Sequence, residues 1–347
     1  MKNTTLLVCV LLLLSCYSCK TLPKKEVEVS NNKIDFTIAF GSCNKQYKPN
    51  VLWKEIKKNN PDLWIWGGDN IYSDTDDMSK MQKDYEGLKK QKGYLELVEN
   101  LPVMATWDDH DYGFNDSGIE CSKKDEAQKL FLDFFKVDEK SPRRKQEGVY
   151  TAKEFKTAKG TIKVIVLDTR YFRTALIKAS DESKKRYIPN TDPNSSVLGT
   201  VQWNWLENEL NGSTADFNII VSSIQVLSSE HGFETWGNFP NDVEKLKNTI
   251  VKSKAKGIFM LSGDRHISEF SKTTVNNLEY PLIDFTSSGL THAYATFVSE
   301  PNKYRVQNVV SEISFGLLAF NFNTKSVRMQ MRGKDNIILQ EINQVYP

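Results

Sequence analysis

Short apolar runs that stop abruptly on polar clusters set the pattern of this chain. Residues 63–66 run into Gly67-Gly68-Asp69, 103–107 into Asp108-Asp109-His110-Asp111, and 258–261 into Ser262-Gly263-Asp264-Arg265-His266. Each run has the length and residue types of a buried strand, and each cluster falls where that strand would leave its sheet. Residues 36–40, 161–167, 217–222 and 281–285 are further strands of this kind. Residues 312–321 and 326–331 read as a strand pair turning at Asn323-Thr324-Lys325. Helices are predicted between them over 51–59, 78–99, 124–135, 200–211 and 242–254, the last with Asp242 as its N-cap. Strands alternating with helices predict an α/β fold, and the final strand pair makes the sheet mixed rather than purely parallel. Residues 179–199, polar and broken by Pro189 and Pro193, form a candidate rim or lid.

The N-terminus breaks this pattern. Lys2 precedes an apolar stretch, residues 6–14, too short to span a bilayer. Leu13-Leu14-Ser15-Cys16 then resembles the lipobox of bacterial lipoproteins. Residues 1–19 are therefore expected to be a signal peptide cleaved before a lipid-bearing Cys16; an ordinary secretory signal with incidental cysteines is the alternative. Residues 20–33 would be a charged tether, and 34–347 a single domain held at the cell envelope. Lys plus Arg total 46 against 44 Asp plus Glu, which gives no support for the clustered basic excess of a nucleic-acid binder. Outside the leader only Cys43 and Cys121 remain. Export suggests a disulfide. Cys43, however, follows a strand and Gly41-Ser42, as the acid clusters follow theirs, so a metal-bound thiolate competes with that disulfide.

Asp and His are costly at half-buried junctions unless something pairs with them. A metal centre assembled from several strand ends would supply the pairing. Asp69 is the natural bridge between two ions, and Tyr72 lies three residues on, where a phenolate would favour Fe(III). Alternation along an extended chain would place Asp264 and His266 on one side. Residues 107–116 crowd Asp108, Asp109, Asp111 and Asp116 together with His110 and Asn115. Bound cations would relieve that repulsion, and Asn115 suits Ca²⁺. His110 could protonate a leaving group or stabilise a transferring phosphoryl group. Arg170 either grips a phosphate oxygen or pairs with Asp168 or another acid. His231 and His292 read as structural or solvent-facing.

Taken in order, these residues resemble the PhoD-like alkaline phosphatases and phosphodiesterases, within the metallophosphoesterases. The resemblance rests on Gly41-Ser42-Cys43, Gly68-Asp69-Asn70-Ile71-Tyr72, Trp107-Asp108-Asp109-His110-Asp111 with Asn115-Asp116, and Ser262-Gly263-Asp264-Arg265-His266. It implies a mixed-sheet β-sandwich flanked by helices (αββα layers). It implies Fe(III) held by Cys43, Asp69, Tyr72 and His266, and Ca²⁺ near Asp69, Asn115 and Asp264. Asp109, His110 and Arg170 are then the candidate catalytic side chains, acting on a small phosphate monoester or diester. Two departures stand out: many relatives carry a β-rich domain before the catalytic one, and they commonly have Glu where Asp111 stands. A non-catalytic surface lipoprotein that binds phosphorylated ligands is the alternative.

Overall fold

Alternation within the apolar runs gives each strand two buried faces. In β1 (Phe36–Gly41) Ile38 and Phe40 enter one hydrophobic cluster and Ala39 another. In β2 (Leu63–Gly67) Leu63 and Ile65 join the first, Trp64 and Trp66 the second. β3 (Val103–Thr106) completes a parallel trio. The computed structural model describes residues 33–180 and 185–347. The expected leader, Cys16 and residues 20–32 of the tether lie outside the described residues.

The second half of the sandwich starts with β4 (Thr151–Lys156) and β5 (Thr161–Val166). A short hairpin of β6 (Ile177–Lys178) and β7 (Tyr187–Ile188) follows. Next come β8 (Phe217–Val221), β9 (Ile258–Ser262), β10 (Ser268–Thr273), β11 (Leu282–Ser287) and β12 (Arg305–Val310). The chain ends with β13 (Phe315–Asn321), β14 (Ser326–Arg332) and β15 (Ile338–Val345). One sheet has the order β15-β14-β13-β1-β2-β3, the other β12-β10-β11-β9-β8-β5-β4. The aromatic pairs Phe40–Phe285 and Phe217–Phe320, with centroids 4.8 and 5.2 Å apart, link the facing sheets. The mixed-sheet sandwich is therefore as expected.

Helices cover both outer faces. α1 (Trp53–Lys58), α2 (Met78–Lys89) and α3 (Lys92–Val98) pack Trp53, Ile56, Met81, Tyr85 and Tyr94 against Trp64 and Trp66. A one-turn helix, α4 (Asp109–Tyr112), and α5 (Lys124–Phe134) extend that layer. On the other sheet α6 (Gly199–Asn211) and α7 (Pro240–Ser253) bury Trp203, Leu206, Leu210, Leu246 and Ile250.

Two expectations about helices change. The predicted helix over 78–99 is broken at Gln91, whose extended backbone lets its side chain accept from Trp53 Nε1 at 2.8 Å and donate to the Gln46 carbonyl at 2.8 Å. Asp242 is not an N-cap: α7 starts at Pro240, and the buried carboxylate accepts from Val197 N at 2.6 Å and Ser196 Oγ at 2.8 Å. β4, β10, β12 and β15 went unrecognised because charged and polar residues interrupt them; β4, β12 and β15 are sheet edges, where such residues deter further pairing.

Register pairs Phe40 with Gly316, and a Cβ on Gly316 would stand 2.0 Å from the Phe40 ring. Gly316→Ala should lower unfolding free energy by about 1–3 kcal/mol in chemical denaturation. In a Phe40→Ala background the same substitution should cost much less. Equal penalties in both backgrounds would contradict the proposed clash.

Candidate metal centre

β1, β2 and β3 run parallel, as do β9 and β11 in the facing sheet, so their C-terminal ends gather the residues that follow each strand. The backbone there turns sharply. Cys43, Asp69, Asp264 and His266 have φ of 61°, 50°, 70° and 54°, left-handed values that are unusual for residues with a Cβ. Each costs about 1–3 kcal/mol and persists only where the surroundings enforce it. Two glycines permit the close approach. A Cβ on Gly68 would meet Asp108 Cβ at 2.7 Å, and one on Gly263 would meet Gly67 O at 2.7 Å.

The turns aim the side chains at one another. Cys43 Sγ lies 3.3 Å from Asp69 Oδ2 and 3.0 Å from Ser288 Oγ. Tyr72 Oη donates to the same Asp69 oxygen at 2.9 Å and sits 2.9 Å from His266 Nε2. Three triads with ligand atoms within 4.8 Å of one another overlap: Cys43–Asp69–His266, Asp69–Asp109–His110 and Asp108–Asp109–Asp264. Asp69 and Asp109 are the shared members. His110 stacks on Tyr72 with centroids 4.1 Å apart, and its Nδ1 lies 2.6 Å from Asp74 Oδ1.

Electrostatics test whether these residues fit a metal. Asp69, Asp108 and Asp109 are buried, and Asp69 Oδ1 and Asp108 Oδ2 have no hydrogen-bond partner among the described residues. Burial, then the neighbouring Cys43, lifts Asp69 well above the ordinary carboxyl range, and burial followed by Asp108 does the same to Asp264. Burial pushes the Cys43 thiol up to about 11. At Asp109 the cost of burial is outweighed by the charges of Arg170 and His110, which hold it at about 2. Left to itself the cluster carries more negative charge than it can stabilise, and a bound cation reverses those directions. Carboxylate, thiolate, phenolate and imidazole donors in one cluster fit such an ion.

The fourth acidic group, Asp109–Asp116–Glu234, is different in kind. Arginines answer it. Arg170 is fully buried, with Nε 2.6 Å from Asp108 Oδ1 and Nη1 2.7 Å from Glu234 Oε2. Arg173 Nε lies 2.8 Å from Glu234, and Arg186 Nη1 lies 3.1 Å from Asp116. Arg170 therefore takes the ion-pair alternative, with Asp108 and Glu234 rather than Asp168, and its guanidinium is not presented to a phosphate.

Other placements also differ from the expectation. Asp264 and His266 join different triads, as the resemblance implies, and both are left-handed, where alternation assumed an extended chain. Asn115 is exposed between Phe114 and Asp116. Cys43 and Cys121 are both free thiols, so the disulfide alternative falls. His292, read as structural or solvent-facing, packs 4.3 Å from the His266 ring and 5.2 Å from Tyr72. Asp111 is buried and accepts from Asp108 N at 2.7 Å, bracing the turn. The sequence reading gave no role to Asp74, Glu234 or Ser288.

Two facing mixed sheets with helices outside, and acids, imidazoles and a thiol gathered at their strand ends, define the metallophosphoesterase fold. The chain belongs to the PhoD-like phosphatase family, whose model matches residues 38–343. Alkaline phosphatase D of Bacillus subtilis (strain 168) is 25% identical over 318 residues, covering 78% of this chain and 53% of that protein. The chain thus spans about half the length of that curated relative. A solved PhoD structure superposes with a TM-score of 0.71 at 20% identity, over 90% of this chain and 70% of that one. A dimetal phosphatase from Danio rerio gives 0.54 at 12% identity, over 90% of this chain and all of its own (100%).

Arg170→Met should destabilise the fold by about 3–5 kcal/mol, since it strands two buried carboxylates. Denaturant titration checks this; unchanged stability with only a raised KM would assign Arg170 to substrate instead.

Proposed function

We propose that this chain hydrolyses phosphate esters with the help of metal ions, as an exported and lipid-anchored protein. The observation that carries the reading is Asp69: it belongs to two of the triads, and one of its buried carboxylate oxygens has no partner among the described residues. A carboxylate so placed would serve ions held by either triad. On this reading Cys43, Asp69, Tyr72 and His266 hold Fe(III). Asp69, Asn115 and Asp264 would hold Ca²⁺. Bound there, the ions supply Lewis-acid stabilisation of the phosphoryl oxygens and a lowered pKa for the attacking water.

The remaining work falls to side chains. Asp109 receives hydrogen bonds from His110 N at 2.9 Å and Asp116 N at 2.7 Å, which fix it as a charged wall of the site. Asp74 holds His110 through Nδ1 and leaves Nε2 for the leaving-group oxygen, the role of a general acid. Arg170 positions Asp108 and does not touch substrate. The substrate class is small organic phosphates, monoester or diester. Export rests on the leader read from the sequence; among the described residues no helix is long and apolar enough to cross a membrane.

Chromogenic phosphomonoesters and diesters, assayed before and after chelation, test the proposal. Activity should vanish on chelation and return with metal, and Asp69→Asn should abolish it. Persistence of full activity in metal-free protein would refute the reading. His110→Asn should lower kcat by about 10²–10⁴ for esters with poor leaving groups and much less for nitrophenyl esters. An equal loss for both would remove the general-acid role.

A further inference from the structure

The site is rich in acids, yet a phosphate ester arrives as an anion and needs a cation that is not already engaged. Arg170 and Arg173 are committed to Asp108 and Glu234, and Arg186 to Asp116. Arg265, next to Asp264, donates from Nη2 to both oxygens of Glu300 at 3.0 and 2.8 Å. His110 is paired with Asp74. Lys45 differs. Its ammonium stands 4.9 Å from the centroid of the Tyr72 ring, the ring whose hydroxyl joins Asp69 and His266. Among the described residues no carboxylate pairs with Lys45, and its Nζ makes no hydrogen bond.

The backbone carrying Lys45 is fixed to the metal centre on both sides. Asn44 N donates to the Asp69 carbonyl at 2.9 Å, and Lys45 N to Thr291 Oγ1 at 2.8 Å. Thr291 in turn donates to the Cys43 carbonyl at 3.2 Å and adjoins His292 Nδ1 at 3.2 Å. The side chain is half-buried, so its stem lies along Tyr72 instead of ranging through solvent. A compact ammonium with three donors, held beside the cluster without a carboxylate, is suited to an incoming phosphoryl oxygen.

We propose that Lys45 is a substrate-binding residue of this site, which grips a non-bridging phosphoryl oxygen of the ester through its unpaired ammonium over Tyr72. The inference rests on the phosphoesterase reading above and supplies the phosphate cation that Arg170 does not.

The test uses metal-loaded protein and measures orthophosphate binding by calorimetry alongside steady-state kinetics. Lys45→Met should weaken orthophosphate binding and raise KM by about 10- to 100-fold, the loss expected for one charge-assisted hydrogen bond. Its kcat should change far less and its metal content should match wild type. Lys45→Arg should recover most of the affinity. Wild-type orthophosphate affinity in Lys45→Met would overturn the inference alone, as would loss of metal from that variant, which would mark Lys45 as a support of the centre. Wild-type protein that binds no orthophosphate and hydrolyses no ester would overturn the phosphoesterase reading with it.

Discussion

Too many carboxylates meet in too little solvent at the strand ends, and the rest of the structure answers that constraint. Asp69, Asp108, Asp109 and Asp264 belong to linked triads beside a buried thiol. Burial disfavours their charged forms, and so does each one's proximity to the others. The chain neutralises one side itself: Arg170 binds Asp108 and Glu234, and Arg173 binds Glu234. On the other side, among the described residues, the Asp69 carboxylate accepts hydrogen bonds only from Cys43 and Tyr72. The asymmetry separates carboxylates neutralised by the protein's own arginines from a cluster whose donors fit a metal cation.

Holding that arrangement requires rigid support. Four left-handed residues at the strand ends store strain of about 1–3 kcal/mol each, which only a firmly packed scaffold sustains. The packing lies directly behind them. Trp53, Trp64 and Trp66 form a mutual edge-to-face cluster with centroids 5.4 to 5.7 Å apart beneath β2. Phe40 and Phe285 join β1 to β11, bringing the two sheets that contribute Cys43 and Ser288 together. Side chains mounted on strand ends of a packed sandwich keep their spacing better than side chains on free loops.

Much of this was legible in the sequence because the signal was local. An apolar run followed at once by Asp or His marks both a strand and its functional end, and Cys43, Asp69 and His266 converge as such marks suggest. Tyr72 followed from Asp69 by proximity in the chain. What failed was inference that needed a backbone conformation or a distant partner. Alternation misplaced Asp264 relative to His266 because the residues are left-handed, not extended. Arg170 could not be resolved between substrate and ion pair, since Asp108 and Glu234 are 62 and 64 residues away. Polar strands such as β10 were invisible because their partners, not their composition, make them strands.

The central claim is that the carboxylate cluster is a site built for metal ions. Elemental analysis of protein purified without added metal tests it most directly. At least two ions per chain are expected, iron and calcium among them, in proportion to active protein. Folded, active protein carrying no stoichiometric metal would contradict it.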